Sequence, residues 1–149
     1  ERYHLVLLAE NQTGYQNLIK MVSSAWTEGF YTKPRVDKEL LEKYHEGLIC
    51  LSACLAGEIP QAILRGDYEK AKETALWYQN VFGKDNYFLE IQDHGIADQK
   101  ASNPHIIRLA RELDIPLVAT NDAHYITKQD AEILSARGKG YQKRIFGVL

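Results

Sequence analysis

Apolar and polar positions follow two different periods along this chain, and the switches between them mark its elements. Short apolar runs at Tyr3 to Ala9, Leu48 to Ala53, Asn86 to Gln92 and Pro116 to Ala119 are bounded by turn residues and have strand length. The run from Pro116 to Ala119, following a helical pattern, reads as a buried strand of a parallel sheet. Between the runs the period lengthens. Tyr15, Leu18, Ile19, Val22 and Trp26 predict the inward face of a helix opened by Thr13, with Gln16 completing a capping box. Asp37 caps a short helix ending before Gly47, Gly57 to Arg65 forms another stopped by Gly66, and Asp67 opens a longer one closed by Gly83. The next pattern reaches Leu113; within it Pro104 fits best as the first residue of a helix capped by Asn103, with Ile106, Ile107, Ala110 and Leu113 inward. Lys128 to Ala136 predicts a last helix. This order, strands separated by helices, implies right-handed crossovers and an α/β fold whose four strands run parallel and end near Ala9, Ala53, Gln92 and Asn121.

The strand exits carry the chemistry. The run from Pro116 breaks off at Asn121, Asp122, Ala123 and His124, and side chains two apart on extended backbone point the same way, so a carboxylate and an imidazole stand together. Such a pair suits zinc, manganese or iron, and the carboxyl ends of parallel strands are where α/β folds keep their sites. On spacing alone, Asp122 as a cap and His124 as a surface residue is the commoner reading. The second strand delivers Cys54 at its exit, where a small buried hydrophobe and a ligand are about equally common fates. Cys50, inside that strand, reads as core. In the third run Glu90, Gln92 and His94 share one face, which makes Glu90 and His94 near-site candidates.

Composition narrows the class. The length, 149 residues, is about one domain, and 45% apolar with 26% charged residues is ordinary for a soluble protein. No stretch is long and apolar enough for a membrane span and none reads as a secretory leader, so a cytoplasmic protein with no membrane partner is expected. Two cysteines make no disulfide framework. A net charge of −2 argues against a dedicated DNA-binding module, which would carry a basic stripe. Arg137, Lys139, Lys143 and Arg144, with Gly138 and Gly140, end the helical pattern in a short basic tail.

Four runs, YHLVLLAENQTGYQNLIKMVS, EGLICLSACLAGEIP, NYFLEIQDHG and LVATNDAHY, closely resemble the polymerase and histidinol phosphatase (PHP) domain of bacterial DNA polymerase III alpha subunits. The resemblance covers about residues 1–132. It implies part of a distorted (βα) barrel with about four mostly parallel strands and crossover helices, holding divalent metals at strand ends and loops. Carried over position by position, it implies His4, Cys54, Asp122 and His124 as metal ligands. Zinc is favoured, with manganese or iron as alternatives. The implied activity is metal-dependent phosphoester hydrolysis of the 3′-5′ exonuclease type; the alternative is a non-catalytic structural or docking module of the polymerase. Implied partners are DNA, reached through the parent polymerase, the remaining alpha-subunit segments and a proofreading exonuclease subunit. The family's N-terminal ligands, an H-x-H, a D-H and a glutamate, have no counterpart here. The reading is therefore residues 1–136 as the C-terminal portion of a PHP domain and 137–149 as a divergent tail, with both ends expected to be cut and no nuclease activity expected from this chain alone.

Overall fold

The computed structural model describes residues 1–124, 126, 127 and 130; the tail at 137–149 and, apart from Asp130, the helix expected at 128–136 lie outside the described residues. Nine elements follow in order: β1 (Val6–Ala9), α1 (Gln12–Thr27), α2 (Lys38–Tyr44), β2 (Leu48–Leu51), α3 (Glu58–Leu64), α4 (Tyr68–Phe82), β3 (Tyr87–Ile91), α5 (Ala97–Leu113) and β4 (Leu117–Ala119). The strands form one open sheet in the order β1-β2-β3-β4.

Local chemistry sets most boundaries. Asp37 and Asp67 each use a carboxylate oxygen to accept the backbone N–H three residues on, at 2.9 and 3.0 Å, and so open α2 and α4. Gly66 and Gly83 end α3 and α4 at positive φ, where a side chain would clash with the backbone. At α1 the cap is Asn11, not Thr13: its Oδ1 accepts the Gly14 N–H at 3.0 Å. α5 also starts earlier than its proline suggested. Pro104 lies inside the helix, and the residues before it are anchored from outside: Gln99 and Ser102 are buried, and Asn103 Nδ2 donates to the Gln92 carbonyl at 2.9 Å. These contacts offset the hydrogen bond that proline cannot donate.

Strand direction corrects the expectation of an all-parallel sheet. β2, β3 and β4 are parallel, but β1 pairs antiparallel with β2, Val6 opposite Leu51 and Ala9 opposite Leu48. The connecting helices explain both outcomes. After β1 the chain returns along α1, then runs the other way along α2, because Lys38 at the start of α2 bonds Glu58 Oε1 at 3.2 Å near the exit of β2. Two traverses reverse the next strand. Between β2 and β3, α3 begins near the exit of β2 and ends with Arg65 bonded to the Tyr3 hydroxyl at 3.1 Å, at the same end of the sheet. Only α4 makes the return, and β3 comes out parallel.

The core lies between this sheet and its helices, with Met21, Leu48, Ile59, Tyr87, Leu89 and Leu109 almost completely buried. Each such side chain contributes roughly 1.5–3 kcal/mol relative to exposure. Tyr78 stacks on Tyr87 with ring centroids 5.5 Å apart. The inward face of α1 differs from the predicted one: Gly14, Asn17, Met21 and Ala25 are buried, while Tyr15, Ile19 and Trp26 face outward. The cause is a backbone contact. A Cβ on Gly14 would lie 1.7 Å from the Gly47 carbonyl oxygen, and Asn17 Nδ2 donates to the Glu46 carbonyl at 3.0 Å, so the small residues must face that turn. Among the described residues, no helix is long and apolar enough to cross a membrane.

Candidate metal centre

The reversed β1 accounts for His4. Lying just before the strand, it would sit far from the exits of β2 to β4 in a parallel sheet; antiparallel pairing places it among them. His4 N–H donates to the Ala56 carbonyl at 2.9 Å, His4 bridges Gly57 in parallel register, and its Nδ1 stands 3.5 Å from Cys54 Sγ. Cys54 follows a strained turn: Ala53 is buried with φ +65°, a conformation uncommon for a residue with a Cβ. Gly57 closes the turn, its N–H donating to the Cys54 carbonyl at 2.8 Å. Burial pushes the Cys54 thiol above its ordinary pKa; the backbone hydrogen bond at Ala56 opposes this, and the Asp122 and Glu90 carboxylates add to it.

Asp122 and His124 lie in the irregular segment that follows β4. Asp122 is left-handed at φ +45°. His124 Nδ1 is 2.7 Å from the Asp122 carbonyl oxygen; a carbonyl only accepts, so Nδ1 carries a proton there. Among the described residues, no three His, Cys, Asp or Glu side chains stand close enough together to hold a metal ion. The structure thus brings His4 and Cys54 into contact and Asp122 within electrostatic reach of Cys54, but does not gather the four into one ligand shell.

Glu90 and His94 have definite roles of another kind. Glu90 is 5% exposed. Its Oε1 accepts from Gln92 Nε2 at 2.9 Å and from the Thr120 hydroxyl, while its backbone N–H donates to Ser52 Oγ at 2.8 Å. Its Oε2 is buried with no hydrogen-bond partner among the described residues. Glu90 lines a small cleft with Cys54, Gln92, Ser102 and Asn103, so the cleft contains a carboxyl oxygen that a cation or a donor can satisfy. His94 uses both ring nitrogens: Nε2 is 2.6 Å from the Asn121 carbonyl oxygen and Nδ1 is 2.9 Å from Gln99 Nε2.

Ser52, Thr120 and Gln99 were not among the residues expected at the site. Gln99 had a readable signal, since it lies at helical spacing with Ser102 and Ile106 on the buried face of α5, and a buried amide needs partners. Ser52 and Thr120 had none, because their partners belong to other strands.

The PHP domain family profile matches residues 1–94. DNA polymerase III subunit alpha from Borreliella burgdorferi is 50% identical over 144 residues, 95% of this chain and 12% of that protein. The same subunit from Treponema pallidum is 54% identical over 129 residues, 87% of this chain and 11% of that protein. The Deinococcus radiodurans subunit is 50% identical over 87% of this chain and 10% of its own length. The chain therefore spans about a tenth of the length of the curated relatives it matches. With the profile covering more than half of the sequence, the chain belongs to the PHP domain family, in the form found in DNA polymerase III alpha subunits.

Proposed function

We propose that this chain supplies His4, Cys54, Asp122 and His124 to a divalent-metal site of a replicative polymerase alpha subunit, and that the complete site hydrolyses phosphodiesters. The observation that carries the reading is the 3.5 Å separation of His4 Nδ1 and Cys54 Sγ. Zinc bonds of about 2.3 Å to sulfur and 2.0–2.1 Å to nitrogen, at a tetrahedral angle, put those two atoms about 3.6 Å apart. The separation, which a thiol–imidazole hydrogen bond also has, is the one two ligands of one cation require. The unpartnered Glu90 Oε2 and the Asp122 carboxylate add negative charge on the same side.

A bound cation of this type polarises a phosphoryl group and makes a bound water nucleophilic near neutral pH. The chain's own part is to hold it: imidazoles from His4 and His124, a thiolate from Cys54 and a carboxylate from Asp122, a borderline-soft set that favours zinc over magnesium. Cys54 must lose its proton to bind, so metal uptake releases one.

Zinc titration of the chain against Cys54→Ala and Asp122→Ala tests this reading. Each substitution is expected to weaken binding at least tenfold; three indistinguishable affinities overturn the site. The second reading, a non-catalytic structural module of the polymerase, is favoured by one observation: among the described residues no three candidate ligands converge. Equal affinities would leave that reading in place.

A further inference from the structure

The hydrogen bonds around His94 fix its role more closely than any charge argument does. The His94 backbone N–H donates to Gln99 Oε1 at 2.8 Å, so Oε1 is the accepting end of that amide and Nε2 is the end facing the ring. Gln99 Nε2 then donates to His94 Nδ1 at 2.9 Å. Nδ1 is the acceptor, the ring proton sits on Nε2, and it is given to the Asn121 carbonyl at 2.6 Å. Gln99 is itself almost fully buried, which holds the donor in place. The carbonyl it reaches belongs to the peptide immediately before Asp122, the left-handed residue whose own carbonyl accepts from His124. Left-handed backbone at a residue with a Cβ is uncommon, and contacts from its surroundings help to hold it.

We infer that His94 is a positioning residue rather than a ligand: in its Nε2–H form it pins the Asn121–Asp122 peptide to the start of α5 and so presets the turn that presents Asp122 and His124. The inference rests on the metal-site reading above for its consequence, but the clamp itself does not need a metal.

Two substitutions separate the roles. In His94→Gln the side-chain amide nitrogen takes the place of Nε2 and still donates to Asn121. In His94→Asn the side-chain oxygen takes the place of Nδ1 and still accepts from Gln99, but nothing reaches Asn121. His94→Gln is expected to keep zinc affinity within threefold of wild type and His94→Asn to lose about 10- to 100-fold, the range seen when a residue supporting a metal ligand is removed. A ligand role predicts equal losses in both, and a bystander role predicts no loss in either; each result overturns the proposal. The metal-free chain gives the independent readout. Nitrogen chemical shifts of the His94 ring should show Nδ1 bare and Nε2 protonated at neutral pH, and the opposite tautomer refutes the clamp. Should the wild type fail to bind zinc, the metal-site reading falls, and the ring nitrogens alone then decide the clamp.

Discussion

Gly57→Ala tests the link between packing and site most directly. Gly57 has φ −70° and ψ 157°, which any residue adopts, so its reason for being glycine is space alone. A Cβ there would lie 2.2 Å from the Ser52 carbonyl oxygen and 3.1 Å from the Cys54 carbonyl oxygen, where ordinary contact begins at 3.4 Å. The 52–57 turn and its neighbour must separate by roughly 1 Å, and overpacking of that kind costs about 1–3 kcal/mol. The unfolded chain loses entropy with the added methyl, which returns about 0.4–1 kcal/mol. The net loss is about 1–2 kcal/mol, a fall of about 3–8 °C in thermal midpoint for a chain of this size. The same displacement opens the His4–Cys54 pair, so zinc affinity should fall at least tenfold. Gly66→Ala is the control. Nothing lies within 4 Å of a Cβ there, but φ is +80°, so it should lose about 1 kcal/mol through backbone strain with zinc affinity unchanged. Calorimetry and zinc titration on both variants decide the matter: a Gly57→Ala protein as stable as wild type with normal zinc affinity refutes the steric account.

Burial also raises the pKa of Cys50, Tyr87 and Tyr78, with the Glu58 carboxylate adding to the shift at both tyrosines. The folded state therefore keeps protons that the unfolded chain has lost. Stability should be intact below about pH 8.5, start to fall there as unfolded cysteine titrates, and fall further above about pH 10 as unfolded tyrosine does; urea midpoints unchanged from pH 7 to 11 would contradict this. Among the described residues β1 and β4 are the sheet's edge strands, Leu8 and Leu117 on them are exposed, and Tyr15, Ile19 and Trp26 make an apolar stripe along α1. Concentration-dependent self-association in sedimentation velocity is expected, and a strict monomer at high concentration would count against it.

How much of this could be read from the sequence depended on the range of the deciding contact. Asp37, Asp67, Gly66 and Gly83 were legible because a cap or a stop is decided within a few residues of the chain. The strands were legible as short apolar runs bounded by turn residues, although only β2 and β3 are largely buried; β1 and β4, including the run from Pro116 that reads as a buried strand, are partly exposed because they lie at the sheet's edges. The face of α1 was not, since it is set by the approach of Gly14 to Gly47, and hydrophobic spacing points to the larger residues instead. The start of α5 was misplaced for a related reason: Pro104 is a strong local signal, and the contacts of Gln99 and Asn103 that outweigh it come from the segment after β3.

The site shows the same division, with one consequence for how its residues should be weighed. Asp122 and His124 are neighbours by sequence, and a turn after a strand places them together in almost any α/β arrangement. His4 and Cys54 are far apart in sequence, and periodicity gave no reason for them to meet; a parallel β1 would have put His4 at the wrong end of the sheet. Their contact depends on a particular combination of helix traverses, α1 and α2 both spanning the sheet while α3 stays at the site end. A contact that needs so many independent elements to agree is harder to obtain by accident than a short motif. The His4–Cys54 pair, supported by the Gly57 close approach and the strained Ala53, is therefore the stronger structural argument for the proposed metal site, and the Asp122–His124 pair, near in sequence, the weaker.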